Sequence, residues 1–293
     1  MSISLKDVNY VYDAGSERAV PALSQINLTV QRGEILGILG PTGSGKSTLI
    51  QHFNGLLKPT SGSVEVDGQG LWTKGTSLTK IRQMVGVVFQ YPEHQLFEET
   101  VFADVSFGPR NLGLDESQLK ERVETALQQV GLEPELWYRS PFALSGGQKR
   151  RVAIAGVLAT EPSYLILDEP TAGLDPAGRR GLLKLLQTLH QTRDIGIVYV
   201  SHNMEELGML ATRLVVLHEG RIAMEGTPAE VFAQGEKIRS LGLDIPQIVD
   251  LSYRLQNLGW PINGGVFQAE ECAQEILKGL DGSFGASGGG DGD

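Results

Sequence analysis

Gly40-Pro41-Thr42-Gly43-Ser44-Gly45-Lys46-Ser47 decides how the rest of this chain is read. The eight residues satisfy the pattern G-x-x-x-x-G-K-[S/T], and the apolar run Ile35 to Leu39 leads straight into them. A buried strand ending in a glycine-rich loop, with a helix predicted from Lys46 to about Leu57, presents a row of unobstructed backbone N–H groups. Such a loop suits phosphate. Its glycines let the backbone approach a β-phosphate, Lys46 neutralises charge between β- and γ-phosphates, and Ser47 offers a hydroxyl to Mg²⁺. Pro41, Thr42, Gly43, Ser44 and Thr48 complete the nucleotide-binding stretch. A plain glycine turn ahead of a helix is the competing reading, and the strand–loop–helix context argues against it.

Two further segments extend this chemistry. Leu144 to Gln148 reads LSGGQ, with Ser145 as a helix N-cap and Gly146 and Gly147 allowing close approach. The following KRRVAIAGVLA is a helix with Val152, Ala155, Gly156 and Ala159 turned inward. The run Tyr164 to Leu167 ends in Asp168-Glu169, which places two acids at the carboxyl edge of a parallel sheet. Asp168 is the candidate Mg²⁺ ligand and Glu169 the candidate general base for an attacking water. His202 closes the strand IGIVYVSH, expected beside the strand that bears the acids. Taken singly, a capped turn, two exposed acids and a surface histidine would each be ordinary; their combination is not.

Around these motifs the pattern is that of an α/β protein. Ile3, Leu5, Val8 and Tyr10, then Ile26, Leu28 and Val30, alternate as strands do, and Ser63 to Asp67 reads as an edge strand. Met84 to Gln90 is apolar throughout, as a doubly covered parallel strand is. From Pro92 to about Pro141 the character is helical, including an Asp115/Gln118 capping-box start and the stripe Leu119, Val123, Ala126, Leu127 and Val130. Arg213 to Leu217 and Arg221 to Glu225 flank a hairpin turn, and Thr227-Pro228-Ala229-Glu230 starts another helix. Two helices, around 248–258 and Ala269 to Leu280, form an appendage over 244–280, and the glycine-rich acidic residues 281–293 are expected to be disordered.

The bulk numbers exclude several classes. A net charge of −10 over 293 residues disfavours nucleic acid and anionic lipid as the main partner. No apolar run reaches the roughly 20 residues of a membrane span, and MSISLKD does not read as a signal peptide. The single Cys272 fits a reducing compartment, and the five histidines show no metal-ligand spacing. A cytosolic location is expected, with any membrane contact made through another protein.

With these motifs in this order, residues 3 to 243 resemble the ATP-binding cassette (ABC) ATPases. The resemblance implies a P-loop NTPase of that type: a RecA-like parallel core, an N-terminal antiparallel β-subdomain, an inserted helical subdomain at about 92–158 and a small C-terminal helical appendage. It implies that Ser145, Gly146, Gly147 and Gln148 act in trans on ATP held by a second ABC subunit, and that Asp175 in TAGLDP is the D-loop residue at that interface. Gln90 then takes the Q-loop position, sensing Mg²⁺ and water, and His202 contacts the γ-phosphate. Tyr12 stacks on adenine, with Tyr10 as the rival one register away.

The stretch FQYPEHQLFEETVFADVSFGPRNLG, from Phe89 to Gly113, with LSGGQKRRVAIAGVLA and DEPTAGLDP, is similar to ATPases of energy-coupling factor (ECF) transporters, and more to the second of their two paired subunits. This implies ATP hydrolysis at the cytoplasmic face of the membrane, a transmembrane T component, a vitamin- or metal-binding S component, and an appendage that helps dimerisation. Tyr91, Pro92, Leu96 and Phe97, with Glu98, Glu99 and Asp104, are the candidate docking surface for the T component, although Leu96 and Phe97 equally suit a core position. A conventional ABC transporter ATPase shares all the catalytic residues and is the alternative.

Overall fold

The computed structural model describes residues 1–260, 262, 266–267 and 269–284; side chains are described only through residue 278. The chain opens with two long antiparallel strands, β1 (Ser2–Tyr12) and β2 (Val20–Gln31), then the fully buried β3 (Ile35–Leu39). Helix α1 (Lys46–Phe53) follows the glycine loop. It ends at Asn54, a turn earlier than predicted, because positive-φ Gly55 interrupts it before the Lys58-Pro59 stop is reached.

Strands β4 (Ser61–Val66) and β5 (Gln69–Gly70) complete a four-stranded sheet in the order β2-β1-β4-β5. The predicted edge strand is therefore covered by a two-residue neighbour. A short helix α2 (Leu78–Met84) runs without a break into β6 (Val85–Val88). The predicted strand from Met84 to Gln90 is thus shortened at both ends, and Gln90 lies beyond it.

Three helices separate β6 from the next strand: α3 (Val101–Asn111), α4 (Glu116–Gln129) and α5 (Gly146–Leu158). Asp115 caps α4 by accepting from the N–H groups of Ser117 and Gln118, but the reciprocal side-chain bond of a capping box is found at Ser145 and Thr227 instead. The parallel sheet resumes with β7 (Tyr164–Asp168), then α6 (Pro176–Thr192), β8 (Gly196–Val200), α7 (Met204–Leu210), β9 (Arg213–His218) and β10 (Arg221–Gly226). The order is β10-β9-β3-β8-β7-β6, parallel except for the β9–β10 hairpin. Its two turn residues, Glu219 and Gly220, both have positive φ, as a tight hairpin of this twist requires.

Alternation along the central strands divides the core in two. Ile35, Leu39, Leu165 and Leu167 face a cluster shared with α3 to α7, whereas Leu36, Ile38, Tyr164 and Ile166 face one shared with α1 and the antiparallel sheet. The sheet is therefore covered on both faces, and the glycine loop and the acid pair both lie at its carboxyl edge. Helices α8 (Pro228–Phe232) and α9 (Gly235–Ser240) close the end of the first cluster. Helices α10 (Gln247–Asn257) and α11 (Ala269–Phe284) pack there through Val249 and the Ser252–Cys272 contact at 3.6 Å. The last helix continues past Leu280 through Phe284; the remainder of the expected disordered tail lies outside the described residues.

Candidate functional site

Strand β3 delivers Gly40 at the carboxyl edge of the sheet, and the loop to α1 is packed from behind. A Cβ at Gly40 would lie 2.2 Å from the carbonyl oxygen of Leu217 in β9, and one at Gly45 2.7 Å from that of Ala22 in β2. Gly45 also has φ +101, a conformation glycine adopts without steric cost. The Lys46 ammonium donates to the carbonyls of Gly40 (2.7 Å) and Pro41 (3.0 Å). Its partial burial pushes its pKa down, against the opposing pull of Glu169 and Asp168.

The acids at the end of β7 stand opposite. The Ser47 hydroxyl donates to Asp168 Oδ2 at 3.2 Å. Burial and the neighbouring Glu169 raise the pKa of Asp168 despite the Ser47 bond and the Lys46 charge. Its anion is therefore held at a cost. Glu169 adopts φ +48, a left-handed conformation unusual outside glycine, while its N–H remains bonded to Val200 O at 2.9 Å. That turn lifts the Glu169 carboxylate out of the sheet, where its Oε2 lies 2.8 Å from Nδ1 of the exposed His202. Tyr12, Lys46, Gln90, Asp168, Glu169 and His202 line one open cleft of about 540 Å³.

Tyr12 reaches this cleft and its hydroxyl meets Thr48 Oγ1 at 3.0 Å. Tyr10 stands behind it, edge-on to Tyr12 (4.8 Å between ring centroids) and to the buried His52 (4.9 Å). Strand β1 has register shifts on both sides of Tyr10, and Tyr12 carries the more exposed ring.

Ser145, Gly146, Gly147, Gln148 and Asp175 are elsewhere. They line a second open cleft of about 670 Å³, which none of the P-loop residues enters. Ser145 caps α5, accepting from Gln148 N at 3.3 Å, and Gln148 Oε1 accepts from Ser145 N at 3.0 Å. A Cβ at Gly146 would meet nothing within 4 Å. Asp175 caps α6 through Gly178 N at 2.7 Å. With no acid in its first turn, the amino end of α5 offers partial positive charge to this cleft.

The candidate docking surface is smaller than the sequence suggested. Pro92 and Leu96 are buried, whereas Tyr91 and Phe97 are exposed. Asp104 also has a role within the chain, because its Oδ2 accepts from the N–H groups of Phe97 (2.9 Å) and Glu98 (3.0 Å). A carboxylate one turn into α3 is well placed to hold the incoming loop.

Two buried polar groups near the clefts were missed by the sequence reading. Arg150 pairs with Glu93, and Glu206 accepts from Tyr199 (2.6 Å) and Thr171 (2.8 Å). The signal for Arg150 lay in α5 itself, since it shares the buried stripe of Ile154 and Leu158 at four-residue spacing.

Among the described residues, no cluster of three or more His, Cys, Asp or Glu is placed to hold a metal, and no helix is long and apolar enough to cross a membrane. A family model described as ABC transporter matches residues 23–172. The chain is 52% identical over 286 residues to the energy-coupling factor transporter ATP-binding protein EcfA2 of Symbiobacterium thermophilum, covering 98% of this chain and 99% of that one. Its counterpart of the same name in Caldanaerobacter subterraneus is 49% identical, with 97% and 99% covered. Among solved structures, cbiO1 of Clostridium perfringens, part of the ABC transporter complex cbiONQ, matches with a TM-score of 0.73 and 41% identity over 88% of this chain and 96% of that one. A dimeric ATP-binding cassette in a post-hydrolysis state, bound to ADP and Pi, matches with a TM-score of 0.69 and 31% identity over 77% and 98%.

Proposed function

The chain belongs to the ABC transporter family as an ECF-type ATPase that hydrolyses ATP to drive transport, and on that premise we propose how its two clefts divide the work. Each is half of a site. The cleft at the carboxyl edge of the sheet holds ATP, Tyr12 stacks on the adenine, and the α5 amino end of a second ATPase subunit closes over the γ-phosphate. The division of the motifs between two clefts supports this reading: the signature residues and the P-loop residues of this chain line different clefts with no lining residue in common. Whether the second subunit is identical or related, the arrangement is head to tail, with Asp175 near the seam.

The donors present fit Mg²⁺. The Ser47 hydroxyl, the Asp168 carboxylate and the Gln90 amide are hard oxygen ligands, and the costly Asp168 anion is relieved by a cation. Bound there, Mg²⁺ supplies charge neutralisation at the phosphates. Lys46 moves from the Gly40 and Pro41 carbonyls to the phosphate oxygens. Glu169 takes the proton of the attacking water, and His202 keeps that carboxylate and the water aligned.

At the cytoplasmic face of the membrane, closure of the paired subunits moves a transmembrane T component, which reorients an S component carrying a vitamin or a transition-metal ion. Helices α10 and α11 contribute to the pairing. Exposed Tyr91, Phe97 and Glu99, with half-buried Glu98, receive an arginine-bearing helix of the T component. Purification of the native complex from membranes tests this assembly. Wild-type protein should bring a second ATPase and an integral membrane subunit. Glu98→Lys combined with Glu99→Lys should lose the membrane subunit and keep ATP binding; recovery at normal yield would move the docking site elsewhere.

A further inference from the structure

The turn that aims Glu169 is held by a group outside the catalytic cleft. After Glu169 the chain makes a tight turn closed by Ala172 N–H on the Glu169 carbonyl at 3.1 Å. Arg150, 3% exposed, donates one Nη1 hydrogen to the carbonyl of Pro170 (2.8 Å) and the other to that of Ala172 (2.7 Å). Its remaining donors go to Glu93: Nη2 to Oε1 (2.9 Å) and Oε2 (3.1 Å), and Nε to Oε2 (3.2 Å). All three nitrogens of the guanidinium are thus engaged. Glu206 accepts from the Thr171 hydroxyl of the same turn at 2.8 Å.

Glu93 lies three residues beyond Gln90, in the segment that begins with left-handed Tyr91 (φ +54). Arg150 lies two residues beyond the LSGGQ segment. One side chain therefore joins the segment after Gln90, the helix that begins at the signature and the turn that follows the general base. We infer that Arg150, held by Glu93, is a positioning residue for Glu169, so that a displacement of the segment after Gln90 alters the aim of the base. The inference rests on the proposed role of Glu169 and deepens it. A lysine cannot replace Arg150, because an ammonium is a single point and cannot span a carboxylate and two carbonyls.

Steady-state ATP hydrolysis by the assembled transporter tests this with Arg150→Gln, Arg150→Lys, Glu93→Gln and the double Glu93→Gln/Arg150→Gln variant. Misaimed chemistry lowers kcat and leaves substrate binding alone. Arg150→Gln should lower kcat by about tenfold or more with KM for ATP within about twofold. Glu93→Gln should give a smaller loss of the same kind, and the double variant should be no worse than Arg150→Gln, because the pair acts as one unit. Arg150→Lys should recover the melting temperature without recovering kcat. An unchanged kcat in folded Arg150→Gln, effects that multiply in the double variant, or full recovery by lysine would overturn the inference. If Arg150→Gln does not fold, near-isosteric Glu93→Gln decides alone: a kcat-only loss supports the strut and an unchanged kcat overturns it. Glu169→Gln is run in parallel. Wild-type turnover in that variant would remove the general-base reading, whereas an inactive Glu169→Gln beside a fully active Arg150→Gln would remove only the strut.

Discussion

A methyl group added at Gly40 would sit 2.2 Å from the Leu217 carbonyl oxygen, and one at Gly45 2.7 Å from that of Ala22; at Gly146 the same methyl would meet nothing within 4 Å. Both regions are glycine-rich turns at the start of a helix, yet only one needs its glycines for its own packing. The P-loop is jammed against β2 and β9, so its shape is dictated within this chain. The signature turn faces open space, so packing within this chain does not require its glycines; under the proposed half-site arrangement that requirement comes from the second subunit. The charges differ in kind as well: the P-loop cleft brings Lys46, Asp168, Glu169 and His202 together, whereas the signature cleft has Glu93, Arg150, Arg151 and Asp175 around an α5 amino end with a neutral cap.

The sharpest break of this contrast is Glu169→Gln. Removing a general base costs about 10²–10⁴ in rate. Phosphate release should fall by that factor while ATP binding persists, since the amide keeps the shape and removes a negative charge facing the γ-phosphate. Wild-type phosphate release would place the base elsewhere.

A smaller effect is expected from Lys46→Ala. A charge-assisted contact to phosphate contributes about 1.5–3 kcal/mol, so ATP affinity should fall about ten- to hundredfold in calorimetric titration. Unchanged affinity would show that the loop does not hold the phosphates.

The smallest effect is on stability. The raised pKa of Asp168 means that the folded state takes up this proton at a higher pH than the unfolded chain does. Without nucleotide, this group makes stability rise as pH falls through its folded pKa, and that gain is complete below the unfolded value of about 3.9. Asp168→Asn removes the costly charge and keeps an acceptor for Ser47. It should raise the melting temperature by about 1–3 °C at pH 7 and lose Mg²⁺-dependent ATP binding. Gly146→Ala, in the uncharged open turn, should leave the melting temperature unchanged. A lower melting temperature for Asp168→Asn would mean that the Lys46 partnership outweighs the cost of burial.

Much of the candidate cleft was legible because its parts are contiguous and end recognisable strands. GPTGSGKS follows β3, Asp168-Glu169 ends β7, and His202 follows β8. The parallel core and its helical insertion were readable for the same reason, since each buried strand is a continuous apolar run. What escaped depends on distance or on missing punctuation. Helix α2 has no glycine or proline between Met84 and Val85 to mark where 3.6-residue spacing yields to a strand. The Arg150–Glu93 pair spans 57 residues, and nothing local to YPEHQ announces a buried partner. Asp104 looked like a surface acid because its two acceptor bonds close a loop that precedes it in the chain.

The division into half-sites is tested most directly by Gly146→Asp, measured as Mg·ATP binding to the isolated subunit alongside ATP hydrolysis by the assembled complex. The aspartate side chain projects into a cleft that is open in this chain, and its charge opposes an incoming γ-phosphate. The isolated variant should bind ATP within about twofold of wild type and keep its melting temperature, because a surface substitution away from packing and pairing changes little. The assembled complex should lose hydrolysis. Loss of ATP binding in the isolated subunit would contradict the account, because the LSGGQ segment would then serve the nucleotide of its own chain.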